Sequence, residues 1–383
     1  MTTQDVRRAY KYRFYPTAQQ EDNLLRTWGC VRLVYNKALE MRTSAWYERQ
    51  QRVSYAETDK ALTGWKKTDE LAFLNDVSAV ALQQALRNLQ SAFSNFWAKK
   101  AKYPHFKSKQ KSTLGIRYTA SALSVRDGKV KLAKHSEPLN IVWSRNLDLS
   151  TVSSATVTRD RAGRWFISLL AVDTVERLPV TGKTVGIDLG VSDAVVTSDG
   201  ARYSPNDLFD VESKQALVRK RQKSLSRKAK GSRNRALART KLARAHVKLA
   251  DAKRDWLHKI TTQLVEDYDV LCIEDLNVRG MTAAASGKGR STKAGLNRSI
   301  LAHNFAEFRT LLEYKAQWYG KKVVVIDRFY PSSKRCHTCG WINQELRLHQ
   351  RHWTCICGAH HDRDINAARN IKAAGLAVFA SGD

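Results

Sequence analysis

The spacing of apolar residues changes period along the chain. From Thr17 to Lys102 they recur at three- and four-residue steps, from Leu114 to Val180 at two-residue steps, and from Thr184 onward short apolar runs alternate with helical stretches. The first element is a strand, Arg7 to Tyr15, which mixes aromatic and basic residues and is broken by Pro16. Thr17-Ala-Gln-Gln20 has the form of a capping box, so a helix starts there. Leu24, Leu25, Val31, Val34, Tyr35 and Leu39 supply the apolar faces of one or two helices, and Cys30 reads as a core residue. Leu82, Leu86, Leu89, Phe93 and Phe96 form a further helical stripe, better read as packing than as a nucleotide platform. That stripe runs into Lys99-Lys-Ala-Lys-Tyr-Pro-His-Phe-Lys-Ser-Lys109, a basic segment with two aromatics. Such a segment suits phosphate neutralisation with base stacking, and a solvated loop is the plainer alternative.

In the period-two region Asp127-Gly128 marks a hairpin turn between Leu123-Ser-Val-Arg and Lys129-Val-Lys-Leu. Ala155-Thr-Val-Thr and Trp165 to Leu170, on either side of Arg161-Ala-Gly163, form another hairpin. The expectation is a small antiparallel barrel that includes the Arg7–Tyr15 strand, with the helices inserted between.

The second half opens with Thr184-Val-Gly-Ile-Asp-Leu-Gly190, a buried strand, followed closely by a second strand at Asp193 to Asp199. Val211 to Val265 is helical, and Gly231-Ser-Arg233 is the place where it would break into a hairpin. Val270 to Glu274 is another strand. Gly280 to Leu296 is small, polar and aperiodic, and reads as a mobile loop, either a lid or a linker. Ser299 to Tyr319 is helical and Lys322 to Ile326 is a strand.

Charge adds what periodicity cannot. The 383 residues carry 66 Lys+Arg against 36 Asp+Glu, a formal charge of +30, which points to a polyanionic partner. The excess is concentrated between Val211 and Ile260, with seventeen Lys/Arg and three Asp/Glu. A run so lopsided repels itself without an anionic partner. A hydrophobic fraction of 43% and ten Trp allow real cores, which excludes a disordered basic tail. No apolar run reaches membrane-spanning length and the first residues do not form a signal peptide, so the expectation is a soluble cytoplasmic protein with no membrane partner.

Three carboxylates stand where chemistry would need them. Asp188 ends one apolar strand, Glu274 ends another, and Asp364 begins the helix of His361-Asp-Arg-Asp-Ile-Asn-Ala-Ala-Arg-Asn-Ile371. A buried Asp is costly unless it is paired, either with backbone N–H groups or with a cation. Two strand-end carboxylates and one helix-start carboxylate match the layout of an RNase H-like nuclease, which gathers them around two Mg²⁺ ions. Asp362 and Asp275 read as supporting or capping groups, and Arg363 as a phosphate contact or a solvated side chain. Four of the six cysteines, Cys336, Cys339, Cys355 and Cys357, lie in two pairs each followed by Gly, the spacing of a structural zinc ribbon holding one Zn²⁺. The second pair is Cys-x-Cys, so His360 or His361 could replace one thiolate.

Gly186-Ile-Asp-Leu-Gly190, Ile273-Glu-Asp-Leu276, Leu312-Glu-Tyr-Lys-Ala316, Ser332-Ser-Lys-Arg-Cys-His-Thr-Cys-Gly340 and His361 to Ile371 occur in the order of the TnpB (OrfB) family, and the chain resembles that family over residues 184–373. Tyr10-Lys-Tyr-Arg-Phe-Tyr-Pro16 and Val34-Tyr-Asn-Lys-Ala38 resemble it more loosely. The family is transposon-encoded and similar to compact type V CRISPR nucleases. The resemblance implies an α+β multidomain protein with four parts. They are a wedge-like β-barrel domain (residues 1–16 and 107–180), an inserted helical recognition domain (17–106), a RuvC-like nuclease domain (181–330 and 361–383) and an inserted zinc ribbon (331–360). It implies an RNA-guided DNA endonuclease of the prokaryotic nucleoid, using a guide RNA from the transposon end to cleave double-stranded DNA. Asp188, Glu274 and Asp364 would be its catalytic Mg²⁺ ligands and the four cysteines its zinc ligands. An unguided nuclease or transposase accessory of the same fold, and a non-cleaving RNA-guided binder, are the alternatives.

Overall fold

The computed structural model describes residues 2–191, 193–283, 290–347 and 349–382. The chain divides into two compact units, Asp5–Asp173 and a second made of Met1–Gln4 with Thr174–Asp383.

The first unit is built on a strand that alternates strictly. In β1 (Thr3–Phe14), Tyr10, Tyr12 and Phe14 point inward, while Lys11 and Arg13 lie over the ring of Phe166 on the other face. Three helices follow: α1 (Ala18–Arg49), α2 (Tyr55–Trp65) and α3 (Ala79–Trp97). Thr17 and Gln20 cap α1 reciprocally, as the sequence predicts. α1 is a single helix of 32 residues. The Leu82–Phe93 stripe and Cys30 are buried in the core. The remaining strands are β2 (Leu114–Thr119), β3 (Leu123–Arg126), β4 (Lys129–Leu132), β5 (Ile141–Val142), β6 (Val152–Arg159) and β7 (Trp165–Glu176). β3 and β4 pair across Asp127-Gly128, both at positive φ, as a tight hairpin demands. The main sheet has the order β2-β6-β7-β1-β5, with antiparallel β2/β6, β6/β7 and β1/β5 ladders. Among the described residues these ladders leave β2 and β5 as edges, and β3–β4 forms a separate sheet. One continuous core joins the sheet to the helices.

The basic segment after α3 is anchored through one lysine. Asn36 donates to the Lys107 carbonyl at 2.9 Å and accepts from its N–H at 2.8 Å, and the Lys107 ammonium sits 3.9 Å from the Tyr35 ring centroid. Burial lowers the Lys107 pKa. Lys107 is therefore a packing residue, while Phe106 and Trp97 remain exposed beside the other lysines.

The second unit is a sheet of order β10-β9-β8-β11-β12, made of β8 (Thr184–Asp188), β9 (Val195–Thr197), β10 (Arg202–Tyr203), β11 (Val270–Glu274) and β12 (Lys322–Ile326). β8, β11 and β12 run parallel, and β9 returns antiparallel to β8. Helices α4 (Val211–Ser226) and α5 (Arg233–Asp267) form the basic hairpin; α6 (Val278–Met281), α7 (Arg290–His303) and α8 (Phe305–Tyr319) follow β11. β13 (His352–Thr354), β14 (His360–Asp362) and α9 (Arg363–Ser381) complete the chain. No helix among the described residues is long and apolar enough to cross a membrane.

Two expectations are corrected here. Arg290 to Leu296 is the first half of α7 rather than loop; the six residues before Arg290 lie outside the described residues. The helix expected over 299–319 is broken at Asn304, which adopts the left-handed conformation (φ 52°) and separates α7 from α8. Asn tolerates that region better than most residues, which a periodicity argument does not register.

The period-two alternation of the parallel strands sorts their side chains. Val185, Ile187, Leu271 and Ile273 pack with Trp256, Ile260, Phe308 and Leu312 of α5 and α8. Val270, Cys272, Val324 and Ile326 pack with Ile371 of α9 on the other face. Gly186 belongs to the α9 face, and a Cβ there would lie 2.0 Å from the Ala368 carbonyl oxygen and 2.5 Å from the Lys372 nitrogen. Gly375 of α9 likewise rests against Cys272, where a Cβ would lie 2.4 Å from the sulfur. Helix and sheet thus touch at glycine on both sides. Gly186→Ala is expected to destabilise this unit by about 3 kcal/mol or more, because the obstructing atoms are backbone. A shift of the urea midpoint relative to Gly29→Ala, where a Cβ meets open space, measures it.

Candidate active site

The same alternation that puts Gly186 and Cys272 on the α9 face puts Asp188 and Glu274 there, two residues further along each strand. Ile273 pairs with Ile187, so the two carboxylates occupy neighbouring positions at the carboxyl ends of adjacent parallel strands. That end of a parallel sheet is where open α/β folds bind their ligands. Asp364 lies in the first turn of α9, whose N-terminus reaches the same end.

The electrostatics show that the three groups meet. Asp188 is pushed up to about 8, first by burial and then by the like charges of Glu274 and Asp364; Arg363 and Arg351 offset this only in part. Burial also raises Glu274, against a hydrogen bond from the Ser332 hydroxyl. Crowded, buried carboxylates whose charge is only partly compensated fit hard cations well.

The neighbouring acids do other work. Asp362 caps α9, accepting from the N–H groups of Asp364 (3.1 Å) and Ile365 (3.0 Å), and pairs with Arg202 at 2.8 Å. Arg202 also binds Asp193 and lies 3.8 Å from Asp364. Arg351 approaches both oxygens of Asp364 at 3.4 Å. Asp275 is held low by Arg328 and Arg309, which it binds. The sequence reading left Ser332, Arg202 and Arg351 unassigned. Ser332 stood inside a quoted motif, but neither it nor the arginines carry a spacing signal for their partners.

A proton and a cation compete for Asp188. In the metal-free protein its raised pKa means that the folded state keeps a proton the unfolded state has lost, so stability falls as pH rises from about 4 to about 8. Divalent-ion affinity should move the opposite way, strengthening up to about pH 8 and then levelling. Titrating Mg²⁺ against the thermal midpoint from about pH 6 to about pH 9 checks this. A flat profile would remove Asp188 from the ion site.

The cysteines form a second centre. The four Sγ atoms of Cys336, Cys339, Cys355 and Cys357 all lie within 4.8 Å of one another. Cys336 and Cys357 are 3.8 Å apart, Cys339 and Cys355 3.5 Å. The edge of a tetrahedron with about 2.3 Å zinc–sulfur bonds is close to this, about 3.8 Å. His361 lies behind Cys336, its Nε2 3.0 Å from the sulfur, and His360 binds Thr354 at 2.8 Å. The geometry therefore favours four thiolates, with His361 as a donor to one of them. Burial alone would raise the Cys336 thiol; the Cys339 N–H and His361 bring it down to about 5. Burial and the other sulfurs push Cys355 up to about 12. Thiols so divided, at such short range, fit a divalent cation that would ionise them all.

The basic hairpin is exposed. α4 buries no residue, and the first half of α5 buries only Ala238, Leu242 and Ala245. Arg235 is spent on the turn, donating to the carbonyls of Leu225 (3.0 Å) and Lys228 (2.7 Å).

The chain is similar to known proteins along most of its length. Family models described as "Probable transposase" (IS605 OrfB), "Cas12f1-like, TNB domain" and "Helix-turn-helix domain" match residues 167–285, 305–371 and 1–51. The last span holds β1 and the unbroken helix α1 in this structure. A protein of Streptomyces pristinaespiralis named "Putative RNA-guided DNA endonuclease" is 53% identical over 99% of this chain and 92% of its own length. InsQ of Escherichia coli K12, given the same description, is 34% identical over 98% of this chain and 94% of its own. Among solved structures, the Cas12f1–sgRNA–target DNA complex matches with a TM-score of 0.57 at 17% identity, covering 92% of this chain and 83% of that one, a likeness of fold. With full-length relatives at these identities and the OrfB model across its central strands, the chain belongs to the TnpB (OrfB) family of transposon-associated proteins.

Proposed function

We propose that the protein is an RNA-guided DNA endonuclease, with Asp188, Glu274 and Asp364 as its catalytic carboxylates. The observation that carries this reading is the placement of Asp188 and Glu274 side by side at the carboxyl ends of adjacent parallel strands, with Asp364 in the first turn of α9 close enough to act on Asp188. Its setting supports it: a chain of charge +30 whose full-length relatives are named as such endonucleases. In this reading β8–β12 with α9 form a RuvC-like, RNase H-type nuclease domain (181–330 and 361–383), with a zinc ribbon at 331–360 on its four thiolates. The sheet of the first unit would be the wedge-like domain (1–16 and 107–180) and its helices the recognition domain (17–106).

Two Mg²⁺ ions held by the three carboxylates would supply the Lewis acidity for phosphodiester hydrolysis. The chain's own residues do the rest. Asp188 and Glu274 are fixed by the rigid strands. Asp364 is fixed by the first turn of α9, which Asp362 caps. Ser332 orients Glu274. Arg351 and Arg363, next to the carboxylates, neutralise part of their charge and stand where a scissile phosphate would arrive. The exposed α4–α5 hairpin and the lysines near Phe106 would neutralise nucleic-acid backbone, with the guide RNA transcribed from the transposon end and double-stranded DNA as the target.

The test is to express the chain with its native flanking DNA, purify it and sequence the nucleic acid that accompanies it. One dominant RNA ending in element-flanking sequence is expected, and it provides the guide for a cleavage assay. Heterogeneous host RNA, or none, would overturn guided function and leave a nuclease of the same fold acting without a guide.

A further inference from the structure

Two asparagines on α9 have no part in the chemistry described so far. Asn366 and Asn370 lie one turn apart and are 2% and 3% exposed. Asparagine is a poor residue for a helix interior, because its amide competes for backbone partners. Here both amides find partners on one other segment. Asn366 donates to the Arg335 carbonyl at 2.7 Å and accepts from the His337 N–H at 3.0 Å. Asn370 donates to the carbonyls of Ser332 (2.8 Å) and Arg335 (2.6 Å). All four bonds hold the backbone on either side of Cys336, from Ser332 to His337.

The same segment reaches both centres. The Ser332 hydroxyl donates to Glu274, and Cys336 begins the thiolate cluster. From Cys336 the contact to His361 at 3.0 Å returns to β14, which ends in Asp362, the cap of α9. The connections close a ring: α9 to Ser332–Cys336 through two asparagines, that segment to Glu274 through a hydroxyl, and the cluster back to α9 through His361.

We propose that Asn366 and Asn370 are positioning residues that lock the thiolate cluster to the carboxylate site, so that the segment between them fixes where Glu274 stands relative to Asp364. The proposal rests on the reading of the carboxylates as an ion site. Its physical basis is that the carbonyls of buried Ser332 and half-buried Arg335 take their side-chain donors from α9. If α9 slides along this segment, those bonds break before any side chain can compensate. The cysteine cluster then acts on the nuclease site without touching its ions.

The experiment uses the full chain loaded with zinc and no nucleic acid. Mn²⁺ binding is followed by electron paramagnetic resonance, and zinc content is measured alongside. The variants are Asn370→Ala, Ser332→Ala, their double, and Asp188→Ala as control. Each single variant should keep its zinc and weaken Mn²⁺ by about tenfold or more, as removing an outer hydrogen-bond partner of a ligand does. The double should be no weaker than the worse single, since both interrupt one path. An unchanged Mn²⁺ affinity in Asn370→Ala, or additive losses in the double, would overturn the proposal. A purely structural asparagine would lower the thermal midpoint and leave Mn²⁺ affinity alone. If Asn370→Ala does not fold, unchanged affinity in Ser332→Ala overturns it equally. Undiminished Mn²⁺ binding by Asp188→Ala would instead remove the ion site itself, a separate failure.

Discussion

Asp188→Asn is expected to lower DNA cleavage by about 10³-fold or more, equivalent to about 4 kcal/mol of lost transition-state stabilisation, while the protein stays folded and still binds nucleic acid. The expectation has three parts. The amide keeps the shape of the side chain but cannot supply the anionic oxygen that divalent ions require. It also removes the cost of a carboxylate whose pKa is pushed up to about 8 by burial and by its acidic neighbours. A raised folded-state pKa on an acid is destabilising above its unfolded value, so in metal-free buffer near neutral pH the variant should melt no lower than the native chain. Binding should persist because the substitution leaves the exposed basic surface of α4 and the first half of α5 unchanged. The three readouts are cleavage rate, thermal midpoint without metal, and filter binding of nucleic acid. Native-level cleavage would sink the assignment of the site. Loss of cleavage together with a fall in the metal-free melting temperature would mean that Asp188 is structural.

The carboxylates were legible in the sequence because each sits at an element boundary that local chemistry marks. Asp188 and Glu274 end short apolar runs, and Asp364 follows a capping Asp into a helical pattern. Their convergence needed the sheet: that Glu274 neighbours Asp188 depends on β11 pairing with β8 across a long helical hairpin, and no local signal sets that register. The cysteines were legible by spacing alone, whereas the place of His361 was not, since the tight Cys-x-Cys permits a histidine ligand and only the fold shows where its ring lies. The packing role of Lys107, which stood in a segment read as suited to phosphate neutralisation with a solvated loop as the alternative, was illegible for the same reason. Its partners Tyr35 and Asn36 are distant in sequence, and a charged residue turned onto an aromatic ring leaves no periodic trace. Gly186 is the clearest case of a motif residue whose cause is tertiary: its need for a missing Cβ comes from the backbone of α9, nearly two hundred residues away.

Extraction of zinc should disorder the segment between Ser332 and Asp362 and abolish cleavage without unfolding the sheet. The segment is too small to hold itself. Its own apolar cluster is Cys336, Leu346, Trp353 and Cys355, with Trp341 and Ala359 partly buried against it, and two of the six are thiolate ligands in this reading. Its ladder, β13 with β14, is three residues on each side. So little burial cannot by itself offset the chain entropy of ordering the segment. Structural zinc sites in small modules contribute folding free energy directly, so metal binding and order go together. The sheet has its own core on both faces and does not depend on that contribution. Treatment with a strong chelator, or Cys339→Ser, is therefore expected to release the zinc, red-shift tryptophan emission from Trp341 and Trp353, and open the segment to protease. Circular dichroism of the remaining helices should be retained. Cleavage should fall with the zinc, because β14 ends in Asp362 and leads directly to Asp364, and Ser332 of the same segment holds Glu274. Restoring Zn²⁺ to the chelated protein, but not to Cys339→Ser, should recover both order and activity. Full cleavage by a chain shown to be zinc-free would separate the thiolate cluster from the nuclease and reduce it to a local fold device.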